Sequence, residues 1–195
     1  MIHTQSNVLI DRIAPSPTAV RNLLIVVGFG LFTAILAQLR VPLPYSPIPL
    51  TGQTFAVLLA GAVLGARRGF ASQATYLALG AMGVPVFAGS VGGFPHLLGP
   101  SGGYLWSFPV AAGLLGWLVE RGASRSVGRL ALALFVCDLL MLAVGTTWLA
   151  ILYQAPMGTV LRWGAYPFIV SDAVKIAAVG LTLPRLVARQ NPTQL

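Results

Sequence analysis

The sequence predicts an all-α, polytopic membrane protein in which six helices cross the bilayer and two apolar Pro/Gly-rich outer loops close a pocket. Three features predict it. Charged residues make up 8% of the 195 residues and hydrophobic ones 56%, with a mean hydropathy of +0.83; soluble domains carry about 25% charge. The apolar residues fall into runs of span length broken by short basic punctuation. The arginines alternate strongly from one connection to the next.

Residues 1–20, MIHTQSNVLIDRIAPSPTAV, read as a cytosolic tail. Asp11, several polar residues and two prolines precede the first long apolar run, whereas a secretory signal puts basic residues before a short one. Residues 21–190 then form the membrane domain. A span needs about 20 mostly apolar residues, with roughly 17 to 25 in common use. The first covers 22–39 and stops at Arg40; the second, about 51–66, is short and halted by Arg67 and Arg68. The third starts near Gly69, reads FASQATYLALGAMG to Gly83 and reaches toward Phe87 despite Pro85. The fourth, 104–119, ends at Glu120 and Arg121, the fifth covers 130–152 and the sixth 164–186. Short, Gly-rich spans stop early and let loops enter a cavity.

Basic residues orient the chain, because cytoplasmic connections are enriched in them. One side receives nine: Arg12, Arg21, Arg67, Arg68, Arg121, Arg125, Arg129, Arg185 and Arg189; the other receives Arg40 and Arg162. Both termini are therefore expected in the cytoplasm, with the chain a multi-pass protein of the cytoplasmic membrane in contact with lipid. The outer connections are RVPLPYSPIPLTGQ, with four prolines, and GVPVFAGSVGGFPHLLGPSGG, with seven glycines and almost no charge. Irregular backbone at membrane depth is tolerated only where protein or a cavity satisfies its amides. These loops read as the roof and wall of an outward-side pocket.

Asp172 and Lys175, in FIVSDAVKIAAVGL, are the informative polar pair. Three residues apart on a helix, they share one face and can reach the same pocket or each other. Lys175 lies about 16 Å along the axis from Gly164, so both belong to the outer half or middle of the membrane. Ionised groups there face the protein interior or a cavity. The pair offers carboxylate acceptors and ammonium donors, which suit a urea, amide or carboxylate. Phe168, Phe87, Tyr104 and Trp106 surround it in the sequence reading, so the guest is small and largely apolar with one or two polar ends. Asp138 lies about 13 Å from the cytoplasmic end of its helix; a packing hydrogen bond and a ligand contact both fit it. Gln53 directly follows the proline loop, Tyr76 is a further polar group, and Arg40 suits a carboxylate near the outer surface. Gly30, Ala34 and Ala37 give the first helix a slender face, open to a partner membrane protein or to its own neighbours.

Other classes find little support. The formal charge of +8 is scattered and the aromatics lie inside the apolar runs, so no nucleic-acid platform forms. Cys137 alone makes no disulfide framework, and His3 and His96 fall on opposite sides, so no metal or cofactor is expected. No nucleophile, base and orienting group recur at usable spacing, which argues against an enzyme. No phosphate loop is present, so any ATPase must be a separate subunit.

Four ordered blocks carry a resemblance: VPLPYSPIPLTGQTFAVLLAGAVLGARRG, YLALGAMGVPVFAGSVGG, GPSGGYLWSFPVAA and SDAVKIAAVGL. Together they closely resemble the BioY family, the biotin-specific substrate-capture subunits of energy-coupling-factor transporters, over about residues 40–183. The resemblance implies a six-helix protein that binds biotin from outside and partners with a transmembrane coupling subunit and two cytoplasmic ATPase subunits, toppling in the membrane to deliver its load. It further implies that Asp172 and Lys175, in the D-x-x-K block, hold a polar end of biotin. The Gly99–Tyr104 block, with Gly102, Gly103 and Tyr104, and the loop 84–93, with Phe87 and Gly93, resemble biotin-covering segments. Ser101 stands where Thr is frequent and Ser171 where Gly is frequent; both keep the residue small. The alternative is a self-contained secondary transporter for biotin or a similar small apolar carboxylate, with Asp138 or Asp172 as coupling group.

Overall fold

The computed structural model describes residues 8–13 and 18–189, with side chains described for residues 8–11 and 18–180. The side chains of His3, Arg12, Arg185 and Arg189, which entered the sequence reading, lie outside that range. Helix α1 (Leu9–Ile13) is followed by α2 (Ala19–Gln38), whose first turn is capped by Thr18: its hydroxyl accepts the Arg21 N–H at 3.2 Å. Past α2, β1 (Arg40–Val41) pairs antiparallel with β2 (Leu50–Thr51), Arg40 opposite Thr51, and closes the proline loop into a hairpin. Apart from this two-residue ladder, an isolated bridge between Phe87 and Val91 and one 3-10 turn at Ala123–Arg125, the regular secondary structure among the described residues is α-helical.

Helices α3 (Gln53–Leu64) and α4 (Ala66–Ala81) are separated by Gly65, whose φ of 81° suits glycine. The break precedes the arginines, so Arg67 and Arg68 stand in the first turn of α4 and not in a linker. The short α5 (Phe94–Leu97) lies in the glycine loop, ahead of α6 (Gly102–Glu120) and α7 (Val127–Tyr153). Residues read as a plain outer connection instead form α8 (Met157–Gly164), so the last helix, α9 (Tyr166–Arg189), begins after it.

The chain is an all-α membrane protein with several apolar helices, but among the described residues only α2, α6 and α7 are each long and apolar enough to cross a bilayer unaided, where six spans were expected. The physical reason is length and charge. α3 is apolar but has 12 residues, about 18 Å of rise against about 30 Å of hydrocarbon. α4 has 16 residues and opens with two arginines, and the side chains of α9 are described only as far as Gly180.

Close backbone approach holds the centre together. A Cβ on Gly61 or Gly69 would meet the Ala112 carbonyl of α6, and one on Gly116 would meet the backbone of Gly65 and Ala66. α3, α4 and α6 therefore pack at distances only glycine permits, around buried Val57, Leu58, Ala111, Ala112 and Leu115. On the cytoplasmic side by the sequence reading, Glu120 Oε1 accepts the Ala66 N–H at 2.8 Å.

Part of the segment 1–20, read as a tail, packs on the helices: Val8 and Leu9 are buried and Arg68 Nη2 donates to both Asp11 oxygens at 2.6 and 2.7 Å. Residues 1–7 and 14–17 lie outside the described ones. The small residues Gly30, Ala34 and Ala37 are buried within the chain, and a Cβ on Gly30 would come 3.0 Å from the Ser72 carbonyl of α4. That slender face is consumed by the protein's own packing, and the outward face of α2 is instead Leu24, Gly28, Leu31 and Ile35.

Candidate functional site

The site is built outward from α9. The i,i+3 spacing brings Lys175 Nζ to 2.9 Å from Asp172 Oδ1, and the same ammonium donates to Thr54 Oγ1 on α3 at 2.7 Å. Thr54 donates in turn to Asp172 Oδ1 at 3.3 Å. A carboxylate that is 2% exposed is thus held by an ammonium and a hydroxyl, which together offset much of its desolvation. Thr54 was not marked as a site residue from sequence; its partners lie 118 and 121 residues away.

Beside this group lies a cavity beneath the two loops, lined by Ile48, Pro49, Gln53, Thr54, Phe87 and His96 from α3 and the loops, and by Tyr104, Phe108, Asp138, Met141 and Phe168 from the helices. The proline loop is fixed over it: Ser46 Oγ donates to the Trp163 carbonyl of α8 at 2.8 Å, and Ile48 is buried. The glycine loop is fixed by a relay. Thr51 donates to Gln53 Oε1 (2.9 Å), Gln53 Nε2 donates to the Tyr76 hydroxyl (2.7 Å), and Tyr76 donates to the Val86 carbonyl (3.3 Å). Gln38, at the end of α2, completes it: its amide N–H donates to the Phe87 carbonyl at 3.1 Å.

Aromatic rings form the walls. Phe87 is wholly buried over Gly80, edge-on to Tyr76 with centroids 5.5 Å apart and stacked on His96 at 5.0 Å. Burial holds the His96 imidazole below its ordinary pKa, so it stacks as a neutral ring at pH 7. Tyr104 rests on Gly145 of α7, stacks on Phe168 with centroids 6.0 Å apart and donates to the Gly164 carbonyl at 2.7 Å.

Of the residues expected at the site, the structure brings Tyr104, Phe87 and Gln53 into the lining, with Asp172 and Lys175 at its margin through Thr54. Others are displaced from it. Gly102 and Gly103 pack against Leu97 and Trp148, where they let α6 approach α7, and do not line the cavity. Gly93 donates its N–H to the Gly80 carbonyl at 2.7 Å and turns the chain into α5. Tyr76 lies behind Phe87 and Gln53, and Trp106 turns away to donate to the Leu97 carbonyl at 3.1 Å. Arg40 is exposed, with its guanidinium against Gly89 of the glycine loop, outside the lining. Asp138, ambiguous in sequence, does line the cavity.

The model of the BioY family matches residues 6–191. The chain belongs to the BioY family. The probable biotin transporter BioY of Pyrococcus horikoshii is 42% identical over 158 residues, 81% of this chain and 91% of that protein. The biotin transporter BioY of Thermotoga maritima is 36% identical over 158 residues, 80% of this chain and 92% of that one. Among crystal structures, the S-component for biotin from an ECF-type ABC transporter is similar with a TM-score of 0.79 at 29% identity, covering 88% of this chain and 94% of the other. In this BioY chain, the D-x-x-K block is the ion pair of α9 and the G-P-S-G-G-Y block is the turn that leads into the first residues of α6.

Proposed function

We propose that this BioY chain is the biotin-binding S-component of an ECF-type transporter, a non-catalytic subunit that captures the vitamin outside the cytoplasmic membrane for ATP-driven uptake. The observation that carries the proposal is the Asp172, Lys175 and Thr54 group, buried at the edge of an apolar cavity beneath two loops, in a chain of this family. Biotin has an apolar bicycle and aliphatic arm between a ureido group and a carboxylate, which suits that combination of wall and polar end. Asp172 and Lys175 take a polar end of the ligand, Tyr104, Phe87 and Gln53 its flanks, and Arg40 stands near the mouth.

The finer organisation belongs to the same proposal. Residues 21–190 act as the substrate-binding domain, with α2, α3, α4, α6, α7 and α9 as the six crossing segments and both termini cytoplasmic. The nine-to-two arginine distribution supports this orientation. A transmembrane coupling subunit and two cytoplasmic ATPase subunits supply the energy, consistent with the lack of a phosphate loop in the sequence. The test is titration of the purified chain with biotin and with lipoate, which has a similar arm but no urea. One-to-one biotin binding with much weaker lipoate binding is expected; absence of biotin binding, or equal affinity for the two, would sink the proposal.

A further inference from the structure

Two carboxylate oxygens inside the helical body accept no hydrogen bond from any described residue: Oδ1 of Asp138 on α7 and Oδ2 of Asp172 on α9. Their residues are 5% and 2% exposed. Buried polar atoms are nearly always paired, because a lone one forfeits its hydration without return. Two such acceptors in one lining point to a guest that brings donors. Both residues line a groove of about 570 Å3 between α7 and α9, walled by Phe135, Leu139 and Ile169. Asp138 also lines the cavity beneath the loops, whose free volume of about 40 Å3 has room for about three waters. It is the one polar side chain common to both linings, so a larger guest that extends from cavity to groove must pass it.

The third partner is Lys175. Of its three ammonium hydrogens, one goes to Asp172 Oδ1 and one to Thr54 Oγ1, leaving one uncommitted among the described residues. Acceptor, donor and acceptor complement a cyclic urea, in which two N–H groups flank one carbonyl. Two acidic groups against a single ammonium also disfavour a carboxylate guest. We infer that Asp138 is a ligand-binding residue: its Oδ1 accepts one ureido N–H of biotin while Asp172 Oδ2 accepts the other, which turns the bicyclic head toward α7 and α9 and the acid arm toward the loops. This rests on the proposed function and assigns the orientation of the ligand within that site.

The test is equilibrium binding of the purified full chain to biotin and to two analogues, each methylated on one ureido nitrogen, using wild type, Asp138→Asn and Asp138→Leu. Wild type is expected to lose roughly 10- to 100-fold in affinity with either methyl group. Asp138→Leu is expected to lose biotin affinity by a similar factor and to stop discriminating against one of the two analogues; Asp138→Asn, which keeps a carbonyl oxygen, falls between. Unchanged wild-type affinity for either methylated analogue overturns the inference and needs no variant. A folded Asp138→Leu chain with wild-type biotin affinity, or with full discrimination against both analogues, overturns it too. Failure of wild type to bind biotin at all is a different result, and removes the proposed function itself.

Discussion

Gln38 Oε1 accepts both the backbone N–H of Ser90 at 2.9 Å and its hydroxyl at 3.1 Å, so one side chain at the end of α2 clasps the tip of the glycine loop. Ser90 has a φ of 57°, which a non-glycine residue holds only when its surroundings enforce it. With the bond from Gln38 to the Phe87 carbonyl, the clasp sets where the Phe87 ring stands. Gln38→Ala is expected to speed biotin release roughly 5- to 30-fold, about 1 to 2 kcal/mol, with little change in melting temperature. Dissociation of labelled biotin chased with unlabelled ligand measures it; an unchanged release rate would show that the loop needs no clasp.

Lys175→Ala removes the donor that Asp172 Oδ1 shares with Thr54. A buried carboxylate left without its ammonium costs about 3 kcal/mol, and biotin affinity is expected to fall by a comparable amount. Calorimetric titration of variant protein that elutes as wild type on size exclusion checks this. Wild-type affinity in such protein would remove the pair from the site.

Tyr104 owes its place to two glycines: its ring lies where a Cβ of Gly145 would be, and its hydroxyl bonds the Gly164 carbonyl. Gly145→Ala is expected to push the ring off Phe168, destabilise the fold by about 1 to 3 kcal/mol and weaken biotin binding together. Thermal unfolding with and without biotin reads both effects. A melting temperature equal to wild type would mean that the ring has slack.

His96 supplies a pH dependence with a fixed sign. Its imidazole is held below its ordinary value of 6.5 by burial, so the closed loop binds the proton more weakly than an open one. The stabilisation is fully present above about 6.5 and is lost as pH falls through the depressed value. Biotin release is expected to accelerate below about pH 6.5, and His96→Phe, which keeps the stacked ring, to flatten that profile. A His96→Phe profile identical to wild type would assign the dependence elsewhere.

Proteoliposomes containing this chain alone are expected to bind biotin and accumulate little of it. Robust uptake driven by an imposed ion gradient would favour the self-contained transporter, with Asp138 or Asp172 as coupling carboxylate.

What the sequence made legible was whatever a local period or a composition fixes. The three-residue spacing of Asp172 and Lys175 determines a shared face before any fold is known, and the long runs of α2, α6 and α7 announce themselves by length. What it hid depends on distant pairing. Thr54 looks like one more polar residue near a helix start until α9 is laid beside α3, and Gln38 meets Ser90 across 52 residues. Gly102 and Gly103 were expected to cover the ligand because their block resembles the family's biotin-covering segment, yet Trp148 takes up the room they leave. Gly30, Ala34 and Ala37 could serve an outside partner or an inside one with the same sequence, and only the placement of α4 decides between them.

The glycine contacts at positions 61, 69 and 116 leave α3, α4 and α6 almost touching along their main chains. Helices joined so tightly cannot slide or bend past one another without collision, so this trio behaves as a solid keel. Any motion that unloads cargo must leave this trio intact, either by displacing the parts around it or by turning the whole hull at once.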